Sequence, residues 1–383
     1  MSIDLSSILD SDLRGELMPL ALGHDQEAYA CPWARLTRRT SAYPSRVAQS
    51  ALLLAAGAVQ PSSDVVDQLY RCDDCGRCRA QSNLPGPPDL PRTLWEVRAG
   101  LVMTEVVSEV ASFAAALSAH GTIYGNLRSA FERLGPSDAE ADILFVPGAA
   151  TLFHDIDATM AALRAVRSVS GSVDVRFDAI DSGQMARELG LRKGAAEIRE
   201  CLRELVGAAG YRQVVGGTPK EAFGLTEALA GLAVEVCYAG NAVARSGQLP
   251  TRPTDGIGAY DSVVFHPSET LLYRLNSFDE IDRWLAVWLG DVYRPESDAK
   301  FSAWPAAIER PAIRVPTTLT RALADMRMAQ LLNVGDVTAG RRLILTCDSY
   351  SLRALRDVAA PDVAVIDLLD FAFGEGRKDG TGG

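Results

Sequence analysis

The sequence has no run of lysine and arginine that could neutralise a phosphate backbone, and a formal net charge of −11 with a pI near 5.0 would repel one. Nucleic acid is therefore not an expected partner. Apolar runs of membrane-spanning length are missing too: the longest, residues 51–59, is about half of what a bilayer core requires. The opening MSIDLSSILDSDLRGEL lacks the basic-then-apolar layout of a secretory signal. Phosphate loops are also lacking. Neither Gly216-Gly217 nor the Gly121, Gly125 pair shows G-x-G-x-x-G after a strand or ends in Lys-Ser or Lys-Thr. A cytoplasmic protein with no transmembrane segment is expected, reaching the inner membrane only through a partner.

What the chain does have is size and cysteine. With 383 residues, 48% of them hydrophobic and 23% charged, it can bury two or three ordinary cores. Three of its seven cysteines fall within seven residues and the others are scattered, which suits metal binding better than a disulfide framework.

Cys72-Asp-Asp-Cys75-Gly-Arg-Cys78 is C-x2-C-x2-C, the spacing that sets three thiolates around one face of an iron–sulfur cube. In a ferredoxin-type run a fourth cysteine, followed by proline, comes three residues later and ligates the other cluster of a pair. That position here is Ser82. Upstream stands Cys31-Pro32, and counting back from it by the same spacing gives Glu27, His24 and Ala21. One crossed set (21, 24, 27, 82) has thus lost every cysteine, and the other (Cys31, Cys72, Cys75, Cys78) keeps all four. One [4Fe-4S] cluster on those four thiols is the expectation. Zinc with Cys31 or a histidine as fourth ligand is the alternative, since tetrahedral thiolate sites suit it as well.

Around the triplet, residues 46–59 and 64–70 read as helices, the second capped by Ser62-Ser63, so that the cysteines begin at a helix end. Residues 83–91, with four prolines, read as an extended crossing, and residues 92–120 as one long amphipathic helix ended by Gly121 and Gly125. From residue 141, short apolar runs alternate with helical pattern: 143–146, 173–177, 214–215, 234–236, 262–265, 313–315, 343–345 and 363–366 are candidate buried strands of parallel sheets. Segments 142–149, 212–218 and 234–244 are answered in the same order by 261–268, 341–347 and 363–373, which argues for two similar α/β units. The fold class expected is α+β overall: a small α-helical iron–sulfur module with linker helix (1–136), then α/β units over 137–257 and 258–383, the last with a flexible tail.

The segments Cys31-Pro-Trp-Ala-Arg-Leu, Tyr43-Pro-Ser-Arg46 and Leu69-Tyr-Arg-Cys-Asp-Asp-Cys-Gly-Arg-Cys78 resemble the α-helical ferredoxin-like module of the heterodisulfide reductase C/D family. They are equally similar to the iron–sulfur subunits of glycolate oxidase and of anaerobic glycerol-3-phosphate dehydrogenase. His120-Gly-Thr-Ile-Tyr-Gly-Asn126 resembles the connector that follows this module, and residues 141–375 resemble the paired CCG domains of the same family. The resemblance implies an electron-transfer subunit, itself non-catalytic, of a larger flavoprotein oxidoreductase. It also implies lost chemistry in the second half. Asp181-Ser-Gly183 stands where a CCG motif belongs, Ala149, Thr218 and Glu269 stand at other family cysteines, and Cys347, with Tyr350 beside it, alone remains. Two other readings stay open: a scaffold with a structural iron–sulfur or zinc site, and a thiol or disulfide reductase using Cys347. Cys201, Cys237 and Cys347 otherwise read as small core hydrophobes. His266, at the end of a strand, is a candidate acid or base with no evident nucleophile, and His154 has no evident role.

Overall fold

The computed structural model describes residues 11–23, 29–82, 87–138, 140–250, 257–296, 299, 303–336 and 340–374. Its first third is helical. Helix α1 (Ser11–Ala21) packs on α3 (Pro44–Ala55), which starts at a proline whose missing N–H costs nothing in a first turn. Between them lies the single-turn-and-a-half helix α2 (Pro32–Thr37). Helix α4 (Ser63–Arg71) is capped by Ser62, whose hydroxyl accepts from Val65 N at 3.4 Å, and its last residue hands the chain to Cys72. The short α5 (Arg77–Ala80) carries Cys78. Leu17, Ala51, Leu54, Leu69, Leu94 and Leu101 from the helical third form a buried core of their own.

The single helix expected over 92–120 is instead two, α6 (Leu90–Met103) and α7 (Ala111–His120), with 93° between the first and the turn-plus-helix from Ser108 to His120. Glu105 at the break adopts φ 59°, and the Thr104 hydroxyl folds back onto the carbonyls of Gly100 and Leu101. Apolar spacing runs across this corner because Val107 and Val110 pack into the same core as α6. Gly121 ends α7 in the left-handed conformation, as its sequence position suggests. Among the described residues no single helix is long and apolar enough to cross a membrane.

Two small parallel sheets follow, so the chain is mixed α and β. The first has order β2-β1-β3-β4, built from β1 (Ile143–Val146), β2 (Asp174–Val175), β3 (Gln213–Gly216) and β4 (Glu235–Tyr238). The second has order β5-β6-β7, from β5 (Ser262–His266), β6 (Arg342–Thr346) and β7 (Val363–Asp367). Where the first sheet places β2, the second has a lone parallel bridge, Val263 to Tyr293, and the adjacent Arg294 N donates to Val263 O at 2.8 Å. The strand expected over 313–315 is a turn: Pro311 and Pro316 flank it and Arg314 sits at φ 57°, neither compatible with a ladder. Helices cover the sheets, and one apolar cluster runs through both, joining Phe145 and Val215 of the first to Phe265 and Leu345 of the second. Helix Ile156–Ser170 packs on helix Leu368–Phe373, and helix Ala239–Ser246 on helix Phe278–Leu289, so the two sheets share one interior.

Candidate metal centre

Cys31, Cys72, Cys75 and Cys78 line one cavity, whose walls all come from the helical third. Each is partly buried and none forms a disulfide. Cys31 is the N-cap residue of α2, in extended conformation, and Cys72 is the C-cap of α4. Between Cys72 and Cys78 the loop turns through Asp74 at φ 61° and Gly76 at φ 75°. Those two left-handed residues coil the backbone tightly, so that thiols three residues apart reach the same space. Trp33, Ala42, Val47, Leu90 and Pro91 form an apolar wall around it.

Burial dominates the thiols' acidity. It pushes Cys31 and Cys78 up to about 12 and Cys72 and Cys75 well above the ordinary thiol range; among the lesser influences, the charge of Asp73 acts in the same direction on Cys31, Cys72 and Cys75. Thiols of this kind are inert as free nucleophiles. They are suited to being ionised by a metal that replaces the proton. Among the described residues, no group of three or more His, Cys, Asp and Glu side chains is gathered as tightly as one shared ion requires. Four soft donors line one apolar-walled cavity, the kind of donor set that a thiolate-held cluster uses.

The cysteine loop is held by arginines from distant parts of the chain. Asp74, fully buried, pairs with Arg98 at 2.7 Å and Arg310 at 3.0 Å, both also fully buried. Arg98 further donates to Leu69 O and Cys72 O, at 2.9 and 3.0 Å, and to Glu188 O at 2.8 Å. Arg310 donates to Tyr70 O and Cys72 O, each at 2.7 Å. The carbonyls left open at the end of α4 are thus satisfied by guanidinium groups, which also suit the negative end of a helix. Burial works to raise Asp74, but Arg98 and Arg310 hold its carboxyl below the usual aspartate range. Arg274 contributes a third clamp, donating to Asp74 O at 3.2 Å and pairing with Asp89. Arg77 reaches Ala303 O at 2.6 Å and, with Arg35, lies against the face of Trp304.

A β-carbon on Gly76 would lie 2.8 Å from Arg274 Nε, in a backbone conformation that side chains resist. Gly76→Ala should therefore lower stability by about 1–2 kcal/mol from the left-handed residue alone. A denaturant midpoint equal to that of the native chain would refute the account of this turn.

Of the four positions that the spacing marks as a second ligand set, Ala21 is buried at the end of α1, where its carbonyl accepts from Gln49 Nε2 at 2.8 Å, and Ser82 lies just past α5. His24 and Glu27 lie outside the described residues. Ala21 offers no donor, so if the four cysteines hold one cluster Ser82→Cys should leave iron at about four per chain; a rise toward about eight would show a second centre.

The positions where the resemblance anticipated lost cysteines meet in a buried polar seam where the carboxyl ends of the two sheets face each other. Asp181, Glu188, Lys220, Glu221, Glu269, Glu309 and Asp348 are all buried there. Lys220 pairs with Glu188 at 3.0 Å and Glu309 at 3.6 Å. Glu221 accepts from Ser182 N at 2.9 Å, and Glu309 accepts from Glu269 N at 3.0 Å and from the Thr270 hydroxyl at 2.6 Å. Tyr124 and Tyr350 share a hydroxyl hydrogen bond of 2.5 Å at the rim. Burial raises Asp181 to about 6, Glu221 to about 8 and Asp348 to about 7, with neighbouring carboxyls adding to the rise in the last two. Cysteine spacing alone gives no hint of Glu188, Lys220, Glu221, Glu309 or Asp348; Lys220, Glu221 and Asp348 open helices that follow strands, Glu188 ends a short helix and Glu309 lies in a bend, and only the fold collects them.

The remaining candidates sort quickly. Cys237 and Cys347 are buried as expected, and Cys347 accepts from Ser268 N at 3.3 Å; Cys201 is exposed, because it lies on the outer side of helix Arg192–Ala209. His266 is fully buried, with Arg327 Nε donating to its Nδ1 at 3.1 Å, and burial followed by that cation holds it well below the ordinary histidine range. It is a neutral packing group, out of reach of a substrate. His154 is partly exposed beside Arg353, and burial and that charge lower it to about 4.

Comparison of the chain with protein family models, with curated proteins and with solved structures returns no match.

Proposed function

We propose that the chain is the electron-transfer subunit of a larger, flavoprotein-containing oxidoreductase and holds one [4Fe-4S] cluster on Cys31, Cys72, Cys75 and Cys78. The observation that carries this reading is that a thiol some forty residues upstream of the triplet lines the same cavity as its three members. Bound there, a cube of this kind supplies one-electron storage. The chain's own residues do the rest. Four cysteines fix the position; Arg98, Arg310, Arg274 and Arg77 set positive charge around a site that becomes anionic when loaded; Trp33, Val47 and Leu90 restrict water. A substrate constellation is not part of this reading. His266 is sealed and Cys347 is a buried, strongly protonated thiol, so disulfide chemistry at Cys347 is disfavoured.

The family named by the motif resemblance, the cytoplasmic location and contact with the membrane through a partner all belong to this proposal, as do the one helical and two CCG-type units that the resemblance implies. Purification under argon with iron, sulfide and zinc analysis tests it. About four irons with a reversible one-electron signal supports the reading, and stoichiometric zinc without iron replaces it with a structural metal site. Capture of a flavoprotein by the loaded chain would identify the assembly.

A further inference from the structure

The polar seam between the sheets contains more negative charge than it can hold ionised. Six buried carboxyls (Asp181, Glu188, Glu221, Glu269, Glu309, Asp348) face a single buried ammonium, Lys220. The other cations beside the seam are committed elsewhere: Arg98 and Arg310 to Asp74 and to the carbonyls ending α4, and Arg199, which acts on Asp181, to Gln184 and Glu227. Uncompensated carboxylates in a dry interior cost several kcal/mol each, so such a group neutralises by binding either a cation or a proton. Among the described residues no three of these side chains are gathered for a metal ion. Protons are then the neutralising species.

Two oxygens mark where the protons sit. Glu269 Oε1 and Asp348 Oδ2, on residues 2% and 5% exposed, meet no hydrogen-bond partner among the described residues. The other Asp348 oxygen accepts from Ser351 N at 2.8 Å, as the cap of helix Ser349–Arg356. A carboxylate oxygen without a donor is costly in the interior, whereas a carboxylic acid carries its own. The groups facing Glu269 are Glu309 on the segment before Pro311, Asp348 at the end of β6, and Asp73 of the cysteine loop. Helix Pro219–Ala228, packed against the turn from Thr270 to Arg274, adds Lys220 and Glu221, and the turn itself carries Tyr273 and Arg274. Facing Asp348 are Glu309 and Lys220, with the thiol of Cys347 and the phenol of Tyr238 nearby. The seam therefore adjoins the cysteine site through Asp73 and Glu309-Arg310.

We propose that Glu269 and Asp348 form a buried proton site that takes one proton from solvent when one electron arrives at the cysteine site, and releases it when the electron leaves. This rests on the electron-transfer reading above. The electron comes from a one-electron donor of the partner class, the proton from water, and no bond other than the carboxyl O–H is made or broken. Added negative charge at the cysteines raises the affinity of the nearby carboxyls for a proton, and by reciprocity the proton raises affinity for the electron.

The test uses the full chain, iron-loaded under argon, titrated with a viologen-mediated dithionite series between pH 5.5 and 9. Burial and Glu309 bring Asp348 to about 7, so the midpoint potential should be level below about pH 7 and fall as pH rises beyond it. Asp348→Asn keeps the helix cap and removes the titration, so with iron content unchanged it should flatten the profile, whereas Glu269→Gln, which has the shape of the protonated acid, should leave the bend in place. A second readout needs no electron. The raised Asp348 contributes stability that is full below the ordinary aspartate range, near 3.9, and is lost as pH rises through about 7. The unfolding temperature of Asp348→Asn should thus gain on the native chain between pH 5 and 8. An iron-loaded chain with a pH-independent midpoint, or a stability gap that does not widen, overturns the proton site and leaves the electron-transfer reading standing. A chain that binds no iron overturns that reading and, with it, the coupling.

Discussion

Replacing Cys31 with serine should cost the chain the iron of the proposed cluster as completely as replacing Cys75 does. Cys75 sits inside the coiled loop, whereas Cys31 stands three helices earlier in the chain, yet both open onto the same cavity. A cube held by four thiolates loses one corner in either case, and the exposed iron is then open to loss. Serine in place of Cys31 disturbs little else, because that residue's side chain makes no cap hydrogen bond to α2. The measurement is iron and sulfide per chain after anaerobic purification, with the visible absorption as a check. Full retention of iron in Cys31→Ser, alongside loss in Cys75→Ser, would mean that three thiols and some other group make the site.

Asp74→Asn should be the most destabilising single change outside the core. The substitution keeps the left-handed backbone, which asparagine tolerates, and removes only the charge. Arg98 and Arg310 would then be left fully buried without their shared carboxylate, a situation that costs about 3–5 kcal/mol. Their remaining bonds to Leu69, Tyr70 and Cys72 carbonyls soften the loss but carry no opposite charge. The pH dependence has a definite sign. A carboxyl held below its unfolded value contributes stability that is present above the ordinary aspartate range and disappears as pH falls through the folded value. Acid unfolding of the native chain should therefore be steeper than that of Asp74→Asn, as followed by circular dichroism. Equal urea midpoints for the two proteins at neutral pH would remove the clamp from the account of the site.

What is legible in the sequence follows the range of the interactions. Strands β1, β3, β5, β6 and β7 are legible because they are buried on both faces and read as unbroken apolar runs. The cysteine triplet is legible because its geometry is local. The corner at Glu105 is not, since the apolar residues on either side of it serve one core and keep their spacing through the bend. Ile313 and Val315 look like strand residues in composition, and only their prolines and the left-handed Arg314 argue otherwise. The arginine clamp and the carboxyl seam are invisible for a different reason. Arg98 stands 24 residues from Asp74 and Arg310 stands 236, and nothing in either neighbourhood announces the other. Asp181 and Glu269, taken singly, look like inert replacements; together with Lys220, Glu309 and Asp348 they are a charged interior.

The reach of Arg310 to the cysteine loop also sets an order of events during synthesis. A nascent chain exposes all four cysteines while its last third is still unmade, so the thiols exist early but the guanidinium that closes over Tyr70 and Cys72 emerges more than two hundred residues later. Contacts of that span form late in folding. Until then the loop has Arg98 but not Arg310, and the thiols are more open to an iron donor and equally to oxidants. Completion of the C-terminal half would therefore act as a latch on insertion of the proposed cluster. Loaded with the proposed cluster, chains stopped before residue 310 should bleach in air sooner than the finished protein.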